Sequence, residues 1–210
     1  MADKKAAGRP RGLDLVDLGY DSTHYYGLSA PGGWLLIDVG WPGTLPKLRA
    51  AHTRMGIQER DLRYLLCTHF HPDHAGIAQD LKNLGVRLIV PPEQEHGAIA
   101  QRTIMRPRDP YIDIDMATNL TLPLAESAAF LASVGIPGCL IHTPGHSDDS
   151  VSLVLEDGRA FIGDLYGRAW SPEPDQAKVD RSWRALQAAG ARRIFPGHGP
   201  IDRPIEDYLG

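Results

Sequence analysis

Four stretches of this 210-residue chain end a short apolar run on histidine or aspartate. The densest is Thr68-His69-Phe70-His71-Pro72-Asp73-His74, and His146, Asp164 and His198 follow singly. Imidazole nitrogen and carboxylate oxygen suit Zn²⁺, Fe²⁺ or Mn²⁺. No cysteine lies within these motifs, which argues against a closed thiolate zinc site and for an open, catalytic one. The competing chemistry is a serine nucleophile drawn from Ser147-Asp148-Asp149-Ser150 beside His146. A polar turn that positions His146 before the next strand is the stronger physical reading of those four residues.

For seven ligands to converge, the elements before them must end at one edge of a sheet, where a rigid scaffold holds side chains and leaves room for substrate. The pattern supplies such elements. Leu13 to Leu18 alternates apolar and acidic residues, and Trp34 to Asp38 is an apolar run after Pro31-Gly32-Gly33, so the chain opens in a hairpin-like way. Thr44 can cap a helix running to about Met55, with Leu45, Leu48, Ala51 and Met55 on one face and Gly56 ending it. Leu62 to Cys67 is a buried strand that delivers the chain to the dense motif. A helix over 75–84 and a strand over 86–90 follow. The proline-broken stretch 102–123 is expected to be a mobile insertion and a candidate lid. Leu124 to Val134 is helical, Cys139 to His142 a strand, and 151–155 with 160–162 a hairpin around Asp157-Gly158. A helix over 175–189 and a strand over 192–195 lead to Pro196-Gly197-His198-Gly199. Strands and helices therefore assemble into one layered α/β domain over 13–210, preceded by a loose tail over 1–12.

Composition narrows the functions. Formal net charge is −4, with 22 Lys and Arg against 26 Asp and Glu, and no long basic stripe exists to neutralise a nucleic-acid backbone. Nucleic acid is not an expected partner; a small molecule is. Cys67 and Cys139 have no zinc-ribbon or C-x-x-C spacing and read as free thiols. The first eleven residues are polar, and no apolar run of signal or membrane-span length follows them, which points to a cytoplasmic protein without a membrane partner. His24, His52 and His96 read as structural or surface histidines, and the sequence leaves His142 unassigned. Trp41, Tyr111 and Trp170 suit an apolar substrate pocket and suit core packing equally.

The dense motif resembles the signature of metallo-β-lactamase-fold proteins. Thr143-Pro144-Gly145-His146-Ser147, Gly163-Asp164 and Pro196-Gly197-His198-Gly199 match the later motifs in order, and Asp38 in Ile37-Asp38-Val39-Gly40 resembles the family's early acidic turn. The resemblance, which covers most of 13–200, implies a four-layer αββα sandwich with two divalent metal ions, zinc first, iron or manganese as alternatives. By motif position it implies that His69, His71 and His146 hold one metal, Asp73, His74 and His198 the second, and that Asp164 bridges them. Two cations sharing a hydroxide would create a nucleophile near neutral pH. Asp73 and Asp164 are the catalytic candidates, Asp73 through orienting the hydroxide or shuttling a proton. Asp38 is expected to hold a ligand histidine from behind. Tyr166, two residues after the proposed bridge, is a candidate substrate contact.

Fold and metal set do not name a substrate. Asp164 resembles the bridging carboxylate of the family's thioesterases, lactonases and phosphodiesterases, where its dedicated β-lactamases carry cysteine or serine. Only twelve residues follow His198, whereas glyoxalase II enzymes proper carry a further helical domain. The expected reaction is hydrolysis of a small carboxylic ester, lactone or thioester in the binuclear glyoxalase II and lactonase-like branch. The alternatives are a mononuclear-iron sulfur dioxygenase, or phosphodiesterase or β-lactamase-type hydrolysis on the same fold. An idle metal-binding or partner-binding domain is the third reading. Oligomeric state is not legible in the chain.

Overall fold

The computed structural model describes residues 13–209 apart from 171. The expected tail over 1–12 lies outside the described residues. Two sheets form the centre. In the first, β1 (Asp14–Asp17), β2 (Tyr26–Ala30), β3 (Gly33–Ile37), β4 (Leu62–Leu66), β5 (Arg87–Val90) and β6 (Leu120–Thr121) lie side by side in chain order. The first three pair antiparallel and the last four parallel. The second sheet runs β11 (Arg203–Pro204), β10 (Arg193–Pro196), β9 (Arg159–Gly163), β8 (Val151–Leu155) and β7 (Gly138–His142), parallel only between β10 and β9. Parallel neighbours need crossovers. In the first sheet these contain α1 (Leu45–Arg54), the pair α2 (Pro72–Ala75) and α3 (Ala78–Asn83), and α4 (Glu95–Ile104). The remaining helices are α5 (Leu124–Ser133), α6 (Gln176–Ala188) and α7 (Glu206–Leu209).

The period-2 alternation of strand side chains separates three apolar layers. Leu36, Leu65 and Leu88 face outward onto Leu48 and Ala51 of α1 and Leu81 of α3. Their neighbours Leu35, Ile37, Leu66 and Ile89 face the other way and meet Leu140, Leu153, Leu155, Phe161 and Phe195 of the second sheet. Val154, Ala160, Ile162 and Ile194 in turn face Val179, Trp183 and Leu186 of α6. This is the helix–sheet–sheet–helix order expected of the fold.

Several local expectations are corrected. Stretch 102–123 is no free insertion. Its Tyr111, Ile114 and Leu122 are buried, Ile114 in the layer beneath α1 and α3 and Leu122 between the sheets, and β6 pairs with β5. The helix expected over 75–84 is two short ones, separated where Ile77 leaves helical geometry (φ −115°, ψ 22°) and buries its side chain fully. Thr44 precedes α1 as expected, but its hydroxyl donates back to the Trp41 carbonyl rather than capping the helix. Met55 is 40% exposed, and His52 takes its place on the buried face of α1. Sequence patterning did not reveal β2, β11, α4 or α7.

Candidate metal centre

Every candidate ligand follows the carboxyl end of a strand, the usual place for a ligand site in parallel α/β sheets. β4 delivers His69, His71, Asp73 and His74; β7 leads to His146, β9 to Asp164 and β10 to His198. Gly163, the last residue of β9, has φ +55°, and a Cβ there would run into the Thr68 side chain. Glycine is what lets the two sheets approach closely enough for Asp164 to reach the histidines of β4.

The ligand atoms form three overlapping groups, His69/His71/His146, His69/His74/Asp164 and Asp73/His74/His198, within each of which all lie inside 4.8 Å. His146 Nε2 stands 2.9 Å from His71 Nδ1. Asp164 lies between the groups: its Oδ1 is 3.2 Å from His74 Nε2, and its Oδ2 is 3.5 Å from both His146 Nε2 and His198 Nε2 and 4.0 Å from His69 Nε2. Asp73 Oδ2 is 3.2 Å from His198 Nε2 and 3.5 Å from His74 Nε2. Ligands about 2.0–2.1 Å from a tetrahedral zinc lie ~3.4 Å from one another, so these separations suit such ions. His69 Nε2, His74 Nε2 and Asp164 Oδ1 are buried and have no hydrogen-bond partner among the described residues. Buried polar atoms are rarely left unpaired in a protein, and a cation between them satisfies all three. The donor set therefore fits divalent metal ions.

The ring nitrogens that face away from the centre are tied. His74 Nδ1 bonds Asp38 Oδ2 at 2.9 Å, and His198 Nδ1 donates to the Ser22 carbonyl at 2.7 Å. His69 Nδ1 meets the Thr68 hydroxyl at 3.2 Å, and that hydroxyl donates to Asp38 Oδ2 at 2.8 Å. Asp38 also accepts from the Thr68 N–H at 2.6 Å. One buried carboxylate thus holds two candidate ligand histidines, His74 directly and His69 through Thr68, from a left-handed backbone conformation (φ +60°) that aspartate tolerates.

Residues 18–198 match the family described as the metallo-beta-lactamase superfamily. The chain belongs to that superfamily. Among curated relatives, the beta-lactamase-like protein 2 homologs of Drosophila melanogaster and Caenorhabditis elegans are each 28% identical, over 90% and 88% of this chain. The aligned regions make up 61% and 58% of those proteins' own lengths. A metallo-beta-lactamase family protein from Thermus thermophilus superposes with a TM-score of 0.69 at 23% identity, over 94% of this chain and 76% of its own. A B3 metallo-beta-lactamase with an active-site glutamic acid gives 0.72 at 18% identity, over 94% and 84%. At these identities the structural likenesses show the fold. It is a metal-dependent hydrolase fold of two sheets and flanking helices.

The electrostatics of the site favour positive charge at its centre. Burial alone would push the His74 imidazole down, but the Asp38 and Asp164 carboxylates beside it raise its pKa to about 10. Hydrogen bonds to Asp164 and Asp73 raise His198 to about 11. Against the opposing effect of burial, His198 and His74 hold the Asp164 carboxyl far below the usual carboxylate range, and Asp73 below it too. His69 and His146 go the other way, pushed down by burial. The carboxylates are ionised and attract cations, and His69 stays neutral, as a metal ligand must; a bound cation would take the place of the protons that the carboxylates draw onto His74 and His198.

Three residues that support the site were not recognised as such in the sequence. Fully buried Gln94 places Nε2 3.0, 3.1 and 3.0 Å from the carbonyls of Cys67, Thr68 and Asp149, which share its two hydrogens. Asp149 Oδ2 accepts from the Phe70 N–H at 2.8 Å. This brace fixes the loop of His69 and His71 against the loop of His146. The turn read from Ser147 to Ser150 exists, with the two hydroxyls 2.7 Å apart, but its third residue also acts across the fold. Thr23, also missed, donates to Asp73 Oδ2 at 3.1 Å. His142 bonds the Asp148 carbonyl at 2.8 Å and is no member of the ligand groups.

A cavity of about 320 Å³ opens beside His146, Asp164 and His198, with an apolar wall of Leu165, Tyr166, Trp170, Pro196 and Tyr208. Trp170 is 83% exposed and lines it as the sequence allowed. Tyr111 is instead buried, its hydroxyl donating to Gln101 Oε1 at 2.9 Å. Neither Trp41 nor any residue of 102–123 is among the described residues lining this cavity, so the candidate lid does not cover it.

Proposed function

We propose that this protein is a binuclear metal-dependent hydrolase acting on a small carboxylic ester, lactone or thioester. The observation that carries the reading is Asp164, whose carboxylate stands within 4.0 Å of ligand nitrogens from both triads. His69, His71 and His146 would hold one ion and Asp73, His74 and His198 the other, with Asp164 shared between them. Two divalent ions bound there supply an acidified water as nucleophile and stabilise negative charge developing on the attacked carbonyl oxygen.

The chain's own residues supply orientation and proton handling. Asp73, ionised and fixed by the Thr23 hydroxyl, is placed to accept a proton from the attacking water and pass it to the leaving group. The apolar wall beside Asp164 accommodates an acyl chain or an uncharged leaving group, and Tyr166 stands on that wall with its hydroxyl 2.9 Å from His146 Nδ1. Among the described residues the wall carries no lysine or arginine, which favours a substrate without an anionic anchor. Zinc is the first expectation for the metal, with iron or manganese as alternatives.

The deciding experiment pairs metal quantification with a substrate panel of aryl esters, lactones, thioesters, phosphodiesters, β-lactams and a persulfide. Two Zn²⁺ per chain with turnover of an ester, lactone or thioester is the expected result. Turnover confined to phosphodiesters or β-lactams, or a single Fe²⁺ with oxygen consumption on the persulfide, would overturn it.

A further inference from the structure

The four histidines that present Nε2 to the centre each have an oxygen at Nδ1. For His74 it is the Asp38 carboxylate, for His198 the Ser22 carbonyl, and for His69 the Thr68 hydroxyl. The first two can only accept. The third must accept too, because its own hydrogen goes to Asp38. For His146 the oxygen is the Tyr166 hydroxyl, 2.9 Å from Nδ1, with the two rings 5.2 Å apart and 73° inclined. His146 Nε2 points at His71 Nδ1 and Asp164 Oδ2, the other atoms of the centre. A nitrogen that ligates a metal carries no proton, so the neutral ring carries it on Nδ1 and the Tyr166 oxygen receives it.

We infer that Tyr166 is a positioning residue for His146, accepting from Nδ1–H and thereby leaving Nε2 free and aimed at the metal. This rests on the metal-centre reading above. The tyrosine is itself fixed from behind: its backbone carbonyl accepts from the indole N–H of buried Trp183 at 2.8 Å, which ties the loop after Asp164 to α6. Because its oxygen accepts from His146, its single O–H remains available to donate into the cavity that its ring lines. The role is distinct from substrate contact, since it acts on the protein before any substrate arrives.

Tyr166→Phe removes the hydroxyl and leaves the backbone anchor. Titration with Zn²⁺ alone, in competition with a chromophoric chelator, should show one of two equivalents bound about 10- to 100-fold more weakly and the other unchanged. Co²⁺ substitution should show an altered visible spectrum for the weakened equivalent only. Independently of any variant, ¹⁵N spectra of the zinc-loaded wild-type protein should place the His146 proton on Nδ1. Two equivalents bound as tightly by Tyr166→Phe as by wild type, or a His146 proton on Nε2, would overturn the inference and leave the metal centre standing. A wild-type chain that takes up no metal overturns both.

Discussion

At the scale of single residues, Asp38 carries more of the site than any group outside the ligand set. Its carboxylate accepts from the Thr68 N–H, the Thr68 hydroxyl and His74 Nδ1, so it sets the ring orientation of His74 directly and of His69 through the threonine. Asparagine tolerates the left-handed backbone at this position, but its amide offers only one acceptor atom where the carboxylate offers two. Asp38→Asn is therefore expected to keep the fold and to weaken metal binding by about 10- to 100-fold, the usual cost of losing such a partner. Competition with a chelator of known affinity reads this directly. Metal affinity equal to wild type would mean that the threonine and histidine hold their positions without the carboxylate.

At the scale of elements, two helices carry tests. α4 begins next to Gln94, and its Gly97 lies where a Cβ would meet the carboxylate, Cγ and Cβ of Asp149. Alanine in place of a helical glycine normally gains ~1 kcal/mol. Here the whole Asp149 side chain must give way, and overpacking of that kind costs about 1–3 kcal/mol. Gly97→Ala should accordingly lower the urea midpoint; a midpoint above wild type would show that Asp149 yields freely. α1 buries His52, whose two ring nitrogens lack a hydrogen-bond partner among the described residues. Burial holds its pKa below the ordinary value despite the nearby Glu59 carboxylate. Below about pH 6.5 the unfolded chain then binds a proton that the folded chain refuses, so stability falls as pH drops through that window. Replacing His52 with methionine should remove this part of the slope. Parallel pH–stability curves for the two proteins would show that His52 finds a partner in solution.

These elements also show where sequence reading stops. Ligand loops and most strands were legible, because apolar runs end abruptly on motifs of fixed spacing. β2 was not: Tyr26-Gly27-Leu28-Ser29-Ala30 is buried at nearly every position, so no alternation marks it. α4 has a glycine near its start and exposes Ile99 and Ile104, which blurs its amphipathic face. The 102–123 stretch looked irregular because its contacts are distant, as with the Asp115 N–H on Gln79 and the Lys82 ammonium on Asn119. Gln94 and Asp149 were invisible for the same reason, each acting on backbone groups more than twenty residues away.

At the scale of the whole molecule, the centre joins two sheets that also meet through the apolar side chains between them and through hydrogen bonds such as those of Gln94 and Asp149. The first sheet contributes His69, His71, Asp73 and His74, and the second His146, Asp164 and His198. Among the described residues each candidate ligand group spans both sheets: His69 and His71 need His146, His69 and His74 need Asp164, and Asp73 and His74 need His198. An ion held by such a group binds the folded chain and not the unfolded one, so it adds stability of RT ln(1 + [L]/Kd), ~4 kcal/mol at a thousandfold excess over Kd. Chelation should therefore lower the unfolding temperature by several degrees and make it depend on free metal concentration, and Asp164→Ala should blunt that dependence. The apolar contact between Leu35, Ile37 and Leu66 on one side and Leu153, Leu155 and Phe161 on the other is extensive, so the chelated chain is still expected to unfold cooperatively. Calorimetry with and without chelator separates the possibilities: an unchanged melting temperature would mean that the ligands converge without gripping an ion, whereas two separate transitions after chelation would mean that the metals, and not the buried leucines, hold the sheets as one unit.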